Sequence, residues 1–319
     1  MPDPLDLFDM RLFTHIVEGN SFTHGAEFSH ISLPAASTRI RNLEDSVGTK
    51  LFYRTRQGVT LTAAGDTFLR HARLMLNQLG HLRGDLQEYA QGVKGHVRVF
   101  ATTTAISEFL PEVLGDYLPS WPNINVELIE HLGDDIVGGV REGLADLGIV
   151  ADSVPVNGLH VVPYRRHRLV LVTPVAHPLG QLESVAFAET LEFDYVGLPA
   201  ASSFQIFLVK AAAALNKRLN VRVRVSSFEA VCRMIARNVG IGLLPESAAR
   251  RLSETLNIHL LRLEDDWASR RLLICARSVE ALPTYARGLV DLLEADEVES
   301  SRAFAMRQRG IVAGRKVFV

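Results

Sequence analysis

The sequence predicts two folds in tandem: an N-terminal all-α winged helix-turn-helix extended by a long linker helix, then a C-terminal α/β domain of two lobes. Two observations carry this prediction. The first third of the chain holds closely spaced amphipathic helices with well-placed caps, whereas the remainder alternates strand-like and helix-like segments. At 319 residues the chain is long enough for two or three domains.

Three short helices are predicted before residue 50. Apolar residues recur at helical spacing over residues 8–17, and a second short helix follows over residues 22–26. After a tight turn, Ser32 can cap a third helix, whose first turn tolerates Pro34 and which Gly48 ends. Two short helices joined by a tight turn, the second well capped, indicate a helix-turn-helix.

The outward face of the third helix carries residue types that can touch base edges in DNA. Basic residues follow it, around a turn between two short extended pieces that we interpret as a wing. Such a wing commonly contacts phosphates, although a basic surface loop could instead serve solubility alone. The predicted contacts with double-stranded DNA are Ser32, Leu33, Pro34, Ala35, Thr38, Arg39, Asn42, Lys50, Arg54 and Arg56.

A long helix is predicted over residues 63–91, with Thr62 as its cap. Apolar residues spaced alternately by four and three along it favour a dimer-forming seam, although an amphipathic helix could also pack on its own domain. Dimerisation also suits helix-turn-helix proteins, which read paired half-sites. The predicted seam residues are Phe68, Ala72, Met75, Leu79, Leu82, Leu86 and Tyr89.

The first 66 residues resemble the LysR-type transcriptional regulators. The segments that carry this resemblance are Ser21-Phe22-Thr23, Ala26-Glu27, Ser32-Leu33-Pro34-Ala35-Ala36-Ser37, Ile40-Arg41-Asn42-Leu43-Glu44, Gly48-Thr49-Lys50-Leu51-Phe52-Tyr53-Arg54 and Leu61-Thr62-Ala63-Ala64-Gly65. Two later segments look like the family's sensor domain, Asp146-Leu147-Gly148-Ile149 and Val239-Gly240-Ile241-Gly242-Leu243-Leu244-Pro245. The resemblance implies a bacterial regulator that assembles as a homodimer or homotetramer and works with RNA polymerase.

Residues 92–95 are interpreted as a hinge, and a mostly parallel sheet is expected beyond it. Strands are predicted over residues 97–101, 125–130, 147–150, 169–173, 195–198, 221–225 and 272–276. Helices are predicted over residues 106–118, 134–142, 204–215, 228–238, 246–252 and 284–293. Lobe I is assigned to residues 96–164 with 270–300, and lobe II to 165–269. The arrangement resembles two-lobed periplasmic-binding-protein-like folds, as the family's sensor domains do.

A small-molecule effector, anionic in character, is expected between the lobes, because open α/β folds bind ligands outside the carboxyl ends of strands. Two strand-to-helix turns place hydroxyls and free backbone N–H groups at helix N-termini, which stabilise anions. Plain helix capping is the alternative. The resemblance favours ligand contact at Thr102 and Thr104. The predicted effector contacts are Thr102, Thr103, Thr104, Ser202 and Ser203, with Val150 and Phe228 as walls.

Other function classes find little support. No nucleophile elbow, phosphate loop or dinucleotide fingerprint occurs, and no histidines or cysteines have metal-ligand spacing, so neither an enzyme nor a metal or cofactor site is expected. The acidic N-terminus is unlike a signal peptide, and no apolar run approaches a membrane span, which predicts a cytoplasmic protein. A small-molecule binding protein with a vestigial DNA-binding domain remains the alternative. The basic tail over residues 301–319 is expected to be a flexible extension or a contact with DNA or a neighbouring subunit.

Overall fold

The computed structural model describes residues 5–55, 58–91 and 95–296. The predicted wing residue Arg56, most of the predicted hinge and the basic tail lie outside these residues. The chain divides into two compact units, Met1–Gly95 with Arg141–Leu144, and His96–Val140 with Ala145–Val319. No helix in the described ranges is long and apolar enough to cross a membrane.

The first unit is a winged helix-turn-helix followed by a long helix. Its elements are α1 (Leu7–Glu18), α2 (Phe22–Phe28), α3 (Leu33–Val47), β1 (Phe52–Thr55), β2 (Gly58–Leu61) and α4 (Ala63–Gln91). Asp6, Ser21 and Ser32 cap the first three helices by accepting hydrogen bonds from backbone N–H groups of the first turn. Gly48 ends α3 at φ 72°, a left-handed conformation that suits glycine.

The core of this unit forms where α1, α2 and α3 turn their apolar faces inward. Phe13 is fully buried and stacks on Phe52 of β1 at 4.5 Å between ring centroids. Phe68 at the start of α4 packs edge-on against the same Phe13 ring, 4.8 Å away. The aromatic cluster therefore fixes the wing and the beginning of α4 to the helical core.

The apolar residues of helix α4 differ in burial along its length. Phe68 packs on the core and Ala72 is buried, whereas Met75 and Leu82 are both 49% exposed. Leu79 between them is half-buried. The side chains of Leu86 and Tyr89 lie outside the described part of the chain. The start of the predicted seam is thus used within the unit, whereas Met75 and Leu82 are exposed.

The second unit is an α/β fold. Its strands are β3 (Gly95–Ala101), β4 (Ile124–Glu130), β5 (Leu147–Ala151), β6 (His160–Pro174), β7 (Ser184–Val185), β8 (Tyr195–Gly197), β9 (Val221–Arg224), β10 (Gly242–Pro245), β11 (Ile258–Leu263) and β12 (Ser269–Ala276). Its helices are α5 (Leu110–Ser120), α6 (Gly133–Arg141), α7 (Phe187–Thr190), α8 (Ser203–Ala214), α9 (Phe228–Ile235), α10 (Glu246–Ser253) and α11 (residues 284–296). A π-helical turn, Ala105–Phe109, precedes α5.

One sheet runs through both lobes in the order β4-β3-β5-β12-β6-β11-β7, with β10 also pairing β6. The 15-residue strand β6 is shared: its first part pairs β12, from Ala276↔His160 to Ser269↔Arg168, and its last part pairs β10 and β11. We call β3, β4, β5, α5 and α6 the first lobe, and β7–β11 with α7–α10 the second. Strands β6 and β12 connect them.

The pairing differs from the mostly parallel sheet that the sequence predicts. Strand β12 is antiparallel to both β5 and β6, and β10 and β11 are antiparallel to β6, whereas β3 and β5 are parallel. The reason is that the chain passes between the lobes twice, in opposite directions, along neighbouring strands. Both predicted lobe boundaries, 164/165 and 269/270, consequently fall within strands rather than in loops.

Candidate functional site

Helix α3 presents the face that the sequence assigns to base edges. Leu33, Pro34 and Ala35 in its first turn and Asn42 further along are exposed. Ser32 lies just before them and uses its hydroxyl to cap the helix through Ala35 N–H, at 3.4 Å. An exposed first turn without long charged side chains allows close approach to a DNA groove. Thr38 is also exposed, and its hydroxyl donates to Pro34 O at 2.9 Å.

Arg39 is not placed as the sequence predicts. Its guanidinium binds two acids of the α1 N-terminus, with Nε 2.5 Å from Asp9 and Nη2 2.6 Å from Asp6, and lies over the Phe8 ring at 4.6 Å. The two carboxylates respond differently. Burial raises the pKa of Asp9, and this effect exceeds the lowering by Arg39. Asp6 is more exposed. Burial raises its pKa too, but the hydrogen bonds from Asp9 N–H and Arg39 outweigh burial, so the pKa of Asp6 is lowered.

The basic residues after α3 are only partly described. Lys50 Nζ lies 2.7 Å from Glu44, a buried carboxylate that also accepts from the backbone N–H groups of Leu51 and Phe52. Lys50 thus helps to join α3 to β1. Arg54 lies in β1 opposite Val59 of β2, and its side chain is outside the described atoms, as is Arg56 altogether.

The wing is fixed to the helical core by a residue that the sequence reading missed. Asn20, in the turn between α1 and α2, accepts a hydrogen bond from Val59 N–H through Oδ1 at 3.2 Å. Asn20 has φ 46°, a left-handed conformation that asparagine tolerates better than most residues. The residues Asn20-Ser21 predict a turn and a helix cap, and nothing in the local sequence indicates that Asn20 contacts Val59, 39 residues later.

A cavity of about 440 Å³ lies between the two lobes. Strands β6 and β12 contribute to its lining, the first lobe and the Thr102–Thr104 turn line one side, and α8 lines the other. The lining residues are Thr102, Thr104, Leu132, Gly133, Asp134, Asp135, Ala151, Ser153, Val154, Pro155, His167, Ser203, Phe204, Ile206, Phe207, Lys210, Arg270 and Leu272. Three of the predicted effector contacts, Thr102, Thr104 and Ser203, are therefore brought together here.

Thr103 joins the lobes rather than lining the cavity. Its backbone N–H donates to Ser203 Oγ at 3.0 Å, and its own hydroxyl accepts from Phe204 N–H at 3.2 Å. Glu130, at the end of β4, accepts from both the Thr103 hydroxyl and Ser203 N–H. The N-terminus of α8 is thus capped by a carboxylate of the opposite lobe, which is favourable for the helix dipole.

A second contact between the lobes is made by Glu108 in the π-helical turn. This buried carboxylate binds Arg251 of α10 with both oxygens at 3.2 Å and accepts from Ser247 Oγ at 3.0 Å. Sequence reasoning missed it because 143 residues separate Glu108 from Arg251. These two polar contacts therefore connect the lobes in addition to the two shared strands.

Like Thr103, three other predicted effector residues lie outside the cavity lining. Ser202 is the α8 cap and accepts from Gln205 N–H at 3.1 Å. Val150 is fully buried within β5, and its neighbour Ala151 lines the cavity instead, because side chains alternate across a strand. Phe228 is buried against Phe204, 5.2 Å away, in the core of the second lobe.

The charged groups of the cavity were not predicted. Arg270 of β12 and His167 of β6 are direct cross-strand neighbours, and Lys210 of α8 lies at the rim. Burial lowers the pKa of Arg270 to about 10 and that of His167 to about 3. At neutral pH the arginine is therefore charged and the imidazole neutral. Among the described residues, no cluster of histidines, cysteines and acids could hold a metal ion.

Comparison with known proteins identifies both units. The family model for the LysR substrate binding domain matches residues 90–297, and the model for the bacterial regulatory helix-turn-helix protein, lysR family, matches residues 7–66. The probable RuBisCO transcriptional regulator of Synechocystis sp. is 25% identical over 268 residues, covering 82% of this chain and 78% of that protein. The HTH-type transcriptional regulator AlsR of Bacillus subtilis is 25% identical over 248 residues, 77% of this chain and 82% of its own.

Solved structures share the fold. A full-length OxyR variant from Pseudomonas aeruginosa matches with a TM-score of 0.64 at 21% identity, covering 91% of this chain and 97% of that one. Full-length CbnR in complex with its target DNA matches with a TM-score of 0.60 at 21% identity, covering 92% and 100%. The substrate-binding model alone spans well over half of the chain. The chain therefore belongs to the LysR family and is a DNA-binding transcriptional regulator with a C-terminal effector-binding domain.

Proposed function

We propose that this regulator reads DNA with the exposed face of α3 and holds the phosphate backbone with its wing. The first turn of α3, from Ser32 to Ala35, with Thr38 and Asn42 beyond it, supports base contact, since these side chains are exposed and include hydroxyl, amide and apolar groups that can touch base edges. Lys50, Arg54 and Arg56 would contact phosphates. Arg39 would reach DNA only by exchanging Asp6 and Asp9 for the nucleic acid.

A small anionic effector would bind in the interlobe cavity and control this DNA binding. The observation that carries the proposal is the cavity itself, in which hydroxyls of one lobe face a helix N-terminus of the other beside a buried arginine. An anion there would gain hydrogen bonds and charge compensation together. Because Thr103 and Glu130 already bind Ser203 across the lobes, a ligand beside them would shift the balance between open and closed lobes.

The DNA-bound form would be a homodimer or a tetramer of two dimers, joined through the exposed part of α4. The 49% exposure of both Met75 and Leu82 supports a partner helix on that face. Lobe movement in one protomer would then change the spacing of two DNA-binding units. Recruitment of RNA polymerase would follow from that change in the DNA complex.

Fluorescence anisotropy tests the proposal directly. The full-length protein would be titrated against DNA from its own upstream region and against a scrambled duplex, each over a series of salt concentrations. We expect selective binding whose affinity falls with salt, because phosphate contacts release counterions. Equal, weak binding to both duplexes would contradict the assignment of that region as the operator.

Variants separate phosphate contacts from base contacts. Arg54→Ala should weaken binding to both duplexes alike and reduce the salt slope by about 1. Arg224→Ala, which removes an exposed arginine from β9 of the second unit, is the matched control and should change neither. A changed base preference in Arg54→Ala would contradict its role as a phosphate contact.

A further inference from the structure

Arg270 has no ion-pair partner among the described residues. Its guanidinium lies 3.8 Å from the centroid of the Phe207 ring, and the exposed Asp152 acts on it electrostatically without forming an ion pair. Burial lowers the pKa of Arg270 to about 10 although Asp152 opposes this shift, so the charge persists at neutral pH. Charged groups inside proteins are normally paired, because desolvating an isolated charge is expensive. An arginine held this way in a cavity is therefore suited to receive a ligand's charge.

Two further polar groups of the same cavity also lack partners. Thr102 Oγ1 and His167 Nδ1 are buried, and neither has a hydrogen-bond partner in the described part of the chain. His167 is nine-tenths buried, faces the cavity, and is the direct cross-strand neighbour of Arg270. A threonine hydroxyl and a neutral imidazole can both donate, and a guanidinium only donates. Three donors on residues that line one cavity match an acceptor-only group.

The remaining lining limits the charge and the character of the ligand. Lys210, Asp134 and Asp135 are exposed at the rim, so the rim carries no net positive charge to hold a second anionic group. The rest of the wall is largely apolar, from Leu132, Val154, Pro155, Phe204, Ile206, Phe207 and Leu272. Such walls with a few placed polar groups are typical of small-molecule sites.

We propose that Arg270, His167 and Thr102 form a carboxylate subsite where the two connecting strands meet the cavity, and that the effector is a small monocarboxylate with an apolar body. This rests on the proposed function, in that the cavity is the effector site. The carboxylate would accept hydrogen bonds from all three side chains. Its apolar body would pack along α8, beside Phe207.

Isothermal titration calorimetry on the full-length protein tests the ligand class. The probes are phenylacetate and 4-phenylbutanoate, their neutral amides, and phenyl phosphate. We expect at least one carboxylate to bind, with its amide about 10- to 100-fold weaker because the charge-assisted hydrogen bonds are lost. No binding by either carboxylate, equal binding by the amides, or tighter binding by phenyl phosphate would each overturn the assignment.

Variants test the residues. Arg270→Met should weaken carboxylate binding about 10- to 100-fold, and Thr102→Val, which keeps the side-chain shape, should weaken it less. Arg271→Met is the matched control, because the neighbouring arginine on β12 points to the opposite face of the strand and lines no part of the cavity. If Arg270→Met does not fold, the carboxylate affinity of Thr102→Val decides whether the subsite is correct. Wild-type affinity in the folded variants would overturn the subsite.

DNA binding distinguishes this inference from the proposed function. If an anion changes DNA affinity in the wild type and equally in Arg270→Met, the subsite is wrong and effector control stands. If carboxylate binding requires Arg270 but leaves DNA affinity unchanged, the subsite stands and effector control by this ligand fails.

Discussion

Arg39 Nε lies 2.5 Å from Asp9 Oδ1, which joins the middle of the DNA-facing helix α3 to the first turn of α1. The same guanidinium binds Asp6, the N-cap of α1. An arginine at this position of α3 would otherwise be a natural reader of guanine. Because its hydrogen-bonding edge is directed at two carboxylates, its first role is to hold two helices together.

Arg39→Ala should therefore act on stability before it acts on specificity. We expect the winged unit to lose about 0.5–1 kcal/mol, since the pair with Asp9 is only partly buried. Asp9→Asn should cause a similar loss, and the double variant should be less destabilised than the sum of both. Hydrogen-exchange mass spectrometry on peptides from α1 and α3 measures this in the full-length protein.

The DNA readout decides whether Arg39 also reads bases. Discrimination between the operator and single-base variants of it should be the same in Arg39→Ala and wild type. Arg41→Ala, which removes a neighbouring exposed arginine on α3, serves as the control for charge alone. Relaxed discrimination at particular base pairs would show that Arg39 leaves its carboxylates when DNA binds.

Glu44 should make the winged unit sensitive to acid. Burial disfavours its charge, but hydrogen bonds from Lys50 and from Leu51 and Phe52 N–H outweigh burial and hold its pKa below the usual 4.5. A depressed pKa contributes stability that is complete above the unfolded pKa and lost as pH falls through the folded one. Glu44→Gln should thus be less stable by about 1 kcal/mol at pH 7, with the difference shrinking below about pH 4.5.

Scanning calorimetry at pH values from neutral to acidic gives this dependence. Asp45→Asn removes the adjacent, exposed carboxylate of α3 and should leave the acid slope unchanged. A constant difference between Glu44→Gln and wild type at every pH would mean that the Glu44 charge does not contribute to stability.

The sequence predicts the fold class because its signals are local. Ser21 and Ser32 as caps, Gly48 as a stop and the apolar stripes of α1 and α3 all act within a few residues. Strand β6 shows where local signals fail. Leu169–Thr173 is apolar and was predicted, but Pro163 and the charged run Arg165–Arg168 hide the first part of the same strand. That part is stabilised by pairing with β12, about a hundred residues later.

The candidate site shows the same difference between local sequence signals and long-range pairing. Thr102, Thr104 and Ser203 of the cavity stand at predicted strand-to-helix turns, so their position could be inferred. The position of Arg270 in the cavity could not be inferred, because the predicted strand began at Leu272 and left this arginine in a loop. Had the strand been extended to Ser269, its alternation would have placed Arg270 on the same face as Leu272, which also lines the cavity.

Thr104→Val should weaken the response to the effector about 5- to 10-fold while DNA binding persists. Thr104 is buried, lines the cavity and makes no capping hydrogen bond with its side chain, so its hydroxyl is available to a ligand. Replacing it with an isosteric methyl removes one hydrogen bond, worth about 1 kcal/mol net and more when the ligand group is charged. Anisotropy with operator DNA, with and without the monocarboxylate that binds best, measures the response.

Thr173→Val is the matched control for that experiment. Thr173 is a fully buried threonine of β6 that does not line the cavity. It should keep the wild-type response. A normal response in Thr104→Val would instead move ligand contact to the other cavity hydroxyls.

Leu82→Glu should dissociate the protein into monomers. Leu82 is half exposed on α4 within the winged unit, one heptad beyond Met75, whereas Phe68 and Ala72 are already occupied by the unit's own core. A charge at the centre of an apolar helix–helix seam would be desolvated without a partner. Sedimentation analysis should therefore show a shift to monomer, and operator affinity should fall because two half-sites are no longer engaged together.

Gln78→Glu, an exposed change on the same helix off the seam, should leave the assembly intact. If Leu82→Glu sediments as the wild type does, the interface lies elsewhere, and the exposed apolar residues of α4 have another role.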